Sequence, residues 1–353
     1  MNSVEWKPEI LTLGPGGTKS YMELGTLLKF ESEEYLKNIK HYVGCSSGSV
    51  IGLLLTSGYN ISEIIQYSFD ENILTDITDV DLLKDLIENK GIFGNGQIET
   101  SLRQKIIDKF AFDVTFYQLY MATGIKFTVV VYNVEKERPE YLSIDTEPNL
   151  SCVTAVMMSV CVPILTKRRM YKGCEYVDGA LGNPYPIDIH DNGMTKILGI
   201  FIKHDNKKDK NPISLLCKLA SASINQLYTR IIEYSSDCCK HILLNMSDIY
   251  IKSKNKLRTE MIKYGYKQAS NFINVLKNPK QRTTPESLLD KHENISLLPL
   301  SPLLSLPHSP LSTKPLIDFD SFNSPQNQID PKKMQTPKKS QKKSQKKSPK
   351  KSL

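Results

Sequence analysis

The stretch IKHYVGCSSGSVIGLLL, residues 39–55, decides the fold class. Ile39–Val43 is apolar and strand-like, Gly44-Cys45-Ser46-Ser47-Gly48 is a turn of small residues, and Val50–Leu55 is an apolar helix that stops near Gly58. A serine between two glycines, where a buried strand turns sharply into a helix, is the pattern of a nucleophile elbow. Side chains at the two glycine positions would collide with the strand and helix that the turn joins. The helix beyond points its N-terminal N–H groups and dipole at charge developing on the serine's substrate. Taken alone, G-x-S-x-G is also compatible with a plain turn that only packs a helix on a strand.

Working outward, Ile10–Leu13 reads as a buried strand that enters the glycine-rich turn LGPGGTKS, residues 13–20. A helix over Tyr21–Phe30, with Leu24, Leu27 and Leu28 on its apolar positions, follows. Such a turn exposes backbone N–H groups and suits an oxyanion or a phosphate. A phosphate-binding P-loop would need glycines where Leu13 and Thr18 stand, so nucleotide binding by this loop is excluded. Downstream, helical patterns cover 61–69, 79–88 and 97–109. Lys126–Asn133 is almost continuously apolar, as in a central strand, and pairs with Glu140–Ile144 across the polar turn 135–139. A helix over 153–162 leads to Pro163, and Tyr176-Val177 is a brief strand that delivers Asp178-Gly179-Ala180. Ile197–Ile202 is another buried strand, and Ile213–Tyr234 and Glu260–Leu276 are helices. This alternation predicts an α/β domain of three layers, α/β/α, around a mainly parallel sheet over residues 1–277.

Composition sets the limits of function. Residues 331–353 hold ten lysines and no acid, so residues 1–330 carry 36 basic against 38 acidic side chains and are near neutral. The net charge of +8 therefore belongs to the tail, and nucleic-acid binding by the folded part is not expected. From about 278 onward Pro, Ser and then Lys dominate, which predicts a disordered tail over 278–353. Seven cysteines without zinc spacing read as reduced thiols of an intracellular protein. The N-terminal residues lack a secretory pattern, and the apolar run 153–165 is too short to span a bilayer, so any membrane contact is expected to be peripheral.

Three elements in order, the loop 14–20, the elbow 44–48 and Asp178-Gly179-Ala180, resemble the patatin-like phospholipase family. That family carries a G-G-G-x-[KR]-G loop, a G-x-S-x-G elbow and a D-G-[GA] motif. Gly25 and Leu27 after Lys19, the run 49–55, and Val156–Pro163 match its supporting positions, and the likeness covers about 9–190 and more loosely extends to 277. The resemblance implies a Ser–Asp dyad. Ser46 would be the nucleophile, Asp178 its base, and the Gly16 and Gly17 N–H groups the oxyanion hole, with no metal or cofactor. Gly44, Gly48 and Gly179 would shape the turns, and Lys19 would position the loop. Two positions depart from the pattern: Pro15 replaces the first glycine and has no N–H to donate, and Ser20 replaces the last, where it is expected to cap the following helix.

The implied activity is hydrolysis of an acyl ester in a phospholipid or other acyl lipid. A neutral-glyceride lipase, a transacylase or a lipid-binding pseudohydrolase would share the motifs. A Ser-His-Asp hydrolase would need His190, His204 or His241, none of which stands in a telling motif, and Cys45 reads as a buried elbow residue. The lysine tail has three readings: a solvated end, a site for nuclear import or nucleic acid, or an electrostatic anchor on anionic lipid.

Overall fold

In the computed structural model, the residues described are 6–71, 74, 96–162, 169–203, 212–245 and 254–277. Eight strands form one sheet: β1 (Ile10–Leu13), β2 (His41–Cys45), β3 (Lys126–Asn133), β4 (Arg138–Ser143), β5 (Arg169–Tyr171), β6 (Cys174–Asp178), β7 (Ile197–Lys203) and β8 (Cys239–Asn245). Among the described residues eight α-helices accompany them: α1 (Tyr21–Ser32), α2 (Ser47–Thr56), α3 (Ile61–Asp70), α4 (Gly96–Phe110), α5 (Phe116–Thr123), α6 (Cys152–Ser159), α7 (Pro212–Tyr234) and α8 (Lys254–Lys277).

The sheet runs β5-β6-β3-β2-β1-β7-β8, with β4 also on β3. From β3 to β8 every pairing is parallel, while β4, β6 and β5 form an antiparallel margin. The parallel strands read as unbroken apolar runs because both faces are covered: every residue of β1 and β2 is buried. On one face Val43, Cys45, Val130 and Phe201 pack with Tyr228, Ile224 and Ile231 of α7. On the other, Gly52 of α2 lies against Tyr42 and Phe127. Alternate residues of a strand point to opposite faces, so these contacts define the expected three-layer α/β/α arrangement.

One crossing fixes the first helix behind the glycine loop. α1 and α8 approach until a Cβ on Gly25 would overlap the Ile262 carbonyl, and one on Gly265 the Met22 carbonyl. The Thr26 hydroxyl is shared between Met22 O (3.0 Å) and Gly265 O (3.2 Å) across this contact.

Several elements lie beyond the sequence expectations. α5 is opened by a capping box between Thr115 and Gln118 and closed by Gly124 at φ 69°. β5 has only three residues, with Met170 exposed, and β8 alternates too irregularly in burial to read as a strand. The expected helix at 79–88, Pro163, and the tail from 278 lie outside the described residues.

Candidate active site

The elbow is built as its glycines require. A Cβ on Gly44 would overlap the Ser49 backbone, and one on Gly48 would strike the Leu13 and Gly14 carbonyls. β2 and α2 therefore meet so closely that Ser46 takes φ 55°, ψ −128°, a conformation that costs a side-chain-bearing residue about 1–3 kcal/mol. Hydrogen bonds hold it there. The Ser46 N–H donates to Ser159 Oγ (2.8 Å), whose hydroxyl donates to Val130 O (2.6 Å), and the Ser49 hydroxyl donates to Ser46 O (2.6 Å).

β3 brings the acid to the serine. β4 occupies one edge of β3 along Thr128–Asn133. β2 occupies the other as far as Val130, opposite Cys45, and β6 takes over that edge at Val131, opposite Asp178. The ends of β2 and β6 thus meet at neighbouring rungs. The Ser46 hydroxyl donates to Asp178 Oδ2 at 2.6 Å, across 132 positions of sequence. Asp178 Oδ1 accepts the Ala180 N–H (2.9 Å), and Gly179 is obligatory because a Cβ would overlap Val130 O. Asp178 is buried, and the loss of solvent pushes its carboxyl up to about 6 against the pull of the Ser46 and Ala180 donors. With that pKa the carboxylate can take up a proton near neutrality.

The glycine loop stands beside the elbow, with its amides engaged. Gly16 N–H and Gly17 N–H both donate to Ser47 Oγ, each at 2.9 Å, and Ser47 Oγ lies 2.8 Å from Ser20 Oγ. Ser20 corrects an expectation: its side chain makes no capping bond to α1, because the chain runs into the helix from a 3-10 turn at Gly17–Ser20 with Ser20 already helical. Its hydroxyl is turned to Ser47 instead. Lys19 lies half-buried on this turn, its N–H donating to Gly16 O (3.0 Å), and Pro15 is buried. One turn further on, Glu23 is fully buried and neither carboxyl oxygen has a hydrogen-bond partner among the described residues. Burial pushes its pKa up to about 8, opposed by the nearby Ser20 hydroxyl and Gly14 N–H. The motifs give Ser47 and Glu23 no role, and Ser159 stands in them only as part of the supporting run Val156–Pro163.

The described histidines lie away from the dyad. His241 bridges Tyr185 Oη (3.0 Å, Nδ1) and Ser235 Oγ (2.9 Å, Nε2). His190 packs edge-on against His41, at the opposite end of β2 from the elbow, and His41 Nε2 meets Thr128 Oγ1 (2.8 Å). His204 lies outside the described residues. Cys45 is buried, and burial together with the Asp178 and Glu23 carboxyls raises its thiol pKa, which keeps it protonated.

The sequence profile of the patatin-like phospholipase family matches residues 11–190, from β1 through the loop, the elbow and Asp178. The chain belongs to the patatin-like phospholipase family. Within it, the chain is 29% identical over 205 residues to a "Probable lipid hydrolase" of invertebrate iridescent virus 6, covering 57% of this chain and 65% of that one. It is 28% identical over 208 residues to an uncharacterized protein of Acanthamoeba polyphaga mimivirus, covering 56% of this chain and 67% of that one. Among solved structures it is similar to VipD from Legionella pneumophila, with TM-score 0.46 and 16% identity over 76% of this chain and 67% of that one. It is also similar to human GIVD cytosolic phospholipase A2, with TM-score 0.41 and 10% identity over 77% and 59%.

Proposed function

We propose that this patatin-like protein is a lipid acyl hydrolase of the phospholipase A or lysophospholipase type. The observation that carries this reading is the 2.6 Å hydrogen bond from the Ser46 hydroxyl to the Asp178 carboxylate at the elbow. Ser46 Oγ attacks the ester carbonyl while Asp178 takes its proton, giving a tetrahedral oxyanion. Collapse expels the alcohol, which receives the proton from Asp178 and leaves an acyl-serine. Water, deprotonated by Asp178, then attacks the acyl carbonyl, and Ser46 regains its proton as the fatty acid departs. The Gly16 and Gly17 amides are the oxyanion donors in this scheme, and a single such donor is worth about 3–4 kcal/mol in related hydrolases. No step calls for a metal or cofactor.

The lipid nature of the acyl ester rests on the family. Contact with membrane is peripheral in this reading, since no helix among the described residues is long and apolar enough to cross a bilayer. The ten lysines of 331–353 act as an electrostatic anchor on anionic lipid. The test is product analysis on vesicles of phosphatidylcholine and phosphatidylserine, beside a triacylglycerol emulsion, with Ser46→Ala as control. Free fatty acid and lysophospholipid are expected from the wild type alone. Product equal to that of Ser46→Ala overturns the reading, and release from triacylglycerol only reassigns the substrate.

A further inference from the structure

Each backbone amide carries one proton. Those of Gly16 and Gly17 converge on one oxygen at 2.9 Å, the arrangement that acyl transfer needs around an oxyanion, yet the oxygen is the chain's own Ser47 Oγ. Two incoming N–H groups use both lone pairs of that hydroxyl. Its own proton is then directed at its remaining neighbour, Ser20 Oγ, 2.8 Å away. Ser47 is nearly buried and Ser20 completely so. The first residue of α2, next to the nucleophile, thus occupies the donors that the reaction requires.

We propose that Ser47 is a positioning residue whose hydroxyl stands in for the oxyanion in the resting protein and yields the Gly16 and Gly17 amides only when that oxyanion forms. This deepens the hydrolase reading and rests on it. The ester carbonyl of a bound substrate is a neutral acceptor like the hydroxyl, and gains nothing by displacing it. An oxyanion makes charge-assisted bonds roughly twice as strong, so it takes the amides, while Ser47 keeps its bond to Ser20. The amides are thereby withheld from the ground state and released to the transition state, which is the differential binding that accelerates the chemical step.

The test is ester kinetics with p-nitrophenyl butyrate for wild type, Ser47→Ala and Ser47→Gly, with folding checked by thermal melting. Without the hydroxyl the free protein holds the amides open. KM is expected to fall about threefold to tenfold and kcat to fall by a similar factor, leaving kcat/KM nearly unchanged, in line with two exchanged neutral hydrogen bonds. An unchanged KM, or a kcat lowered tenfold with KM unchanged, overturns the proposal and makes Ser47 a fixed pin of the loop. A second reading needs no variant. In wild-type protein with 15N-labelled glycine, the Gly16 and Gly17 amides should shift on adding a fatty trifluoromethyl ketone, which forms an oxyanion on Ser46. They should not shift with the unreactive methyl ketone. Equal shifts with both overturn the proposal. A wild-type protein inert to both ester and trifluoromethyl ketone overturns the hydrolase reading and the proposal with it.

Discussion

Acid should silence the protein one proton at a time, and Asp178 sets where. In the proposed mechanism its carboxylate accepts the Ser46 proton, and burial holds its pKa at about 6. One pH unit below that value about a tenth of the molecules carry the carboxylate, and one unit above about nine-tenths do. The logarithm of kcat/KM for a p-nitrophenyl ester should therefore climb with unit slope below pH 6 and level off above pH 7. The same shift acts on stability. The folded pKa stands above the ordinary value of 3.8, so the folded state binds the proton more tightly than the unfolded chain. The stability tied to this group is complete below pH 3.8 and is lost as pH rises through 6, by about 3 kcal/mol. Asp178→Asn removes the cost together with the base: it should unfold at higher urea at pH 8 than the wild type, and lose about 100-fold or more of its rate. Urea midpoints and rates measured across pH 5–8 on both proteins decide the matter. A flat rate profile, or an Asp178→Asn protein that is both less stable and still active, would refute the reasoning.

Other perturbations follow from the packing. Gly25→Ala drives a methyl into the Ile262 carbonyl and should lower stability by at least about 2 kcal/mol in urea melts, with no change meaning that α8 does not press on α1. Glu23 is raised to about 8, so the wild type should lose about 2 kcal/mol of stability between pH 6.5 and 8, where the unfolded chain has ionised this carboxyl and the fold still holds its proton. Glu23→Gln should flatten that slope, and an equal slope in both proteins would acquit Glu23. Ser159→Ala leaves the Ser46 N–H without its 2.8 Å acceptor, and should cost about 1–3 kcal/mol of stability and lower kcat more than it raises KM.

The residues whose roles could be read from sequence are those on which backbone geometry leaves no choice. Gly44 and Gly48 announce the elbow because no side chain fits where two backbones touch. The runs at Ile10–Leu13, Lys126–Asn133 and Ile197–Lys203 announce the parallel sheet because both of their faces are covered. Asp178 was legible as a motif, and its meeting with Ser46 was expected only through the family resemblance, not from the local pattern. That contact arises because β6 takes over an edge of β3 where β2 ends, a register no local pattern encodes. Ser47 occupies the variable position of G-x-S-x-G, so turn geometry places no demand on it, and its importance comes from a loop 30 residues upstream. Glu23 reads as an ordinary first-turn acid of a helix, and only the α1 packing reveals its burial. α5, β5 and β8 escaped because a short helix, a three-residue strand and an irregular alternation carry too little periodicity.

The dyad itself is tested most directly by a fluorophosphonate, which reacts only with an activated serine. After labelling and proteolysis, mass spectrometry should find the phosphonate on the peptide that contains Ser46. The adduct should vanish in Ser46→Ala and form at least 100-fold more slowly in Asp178→Asn, while His190→Ala and His241→Ala label at the wild-type rate. Labelling of Ser46 that proceeds equally fast without the Asp178 carboxylate, or that stops when a histidine is removed, would contradict the account.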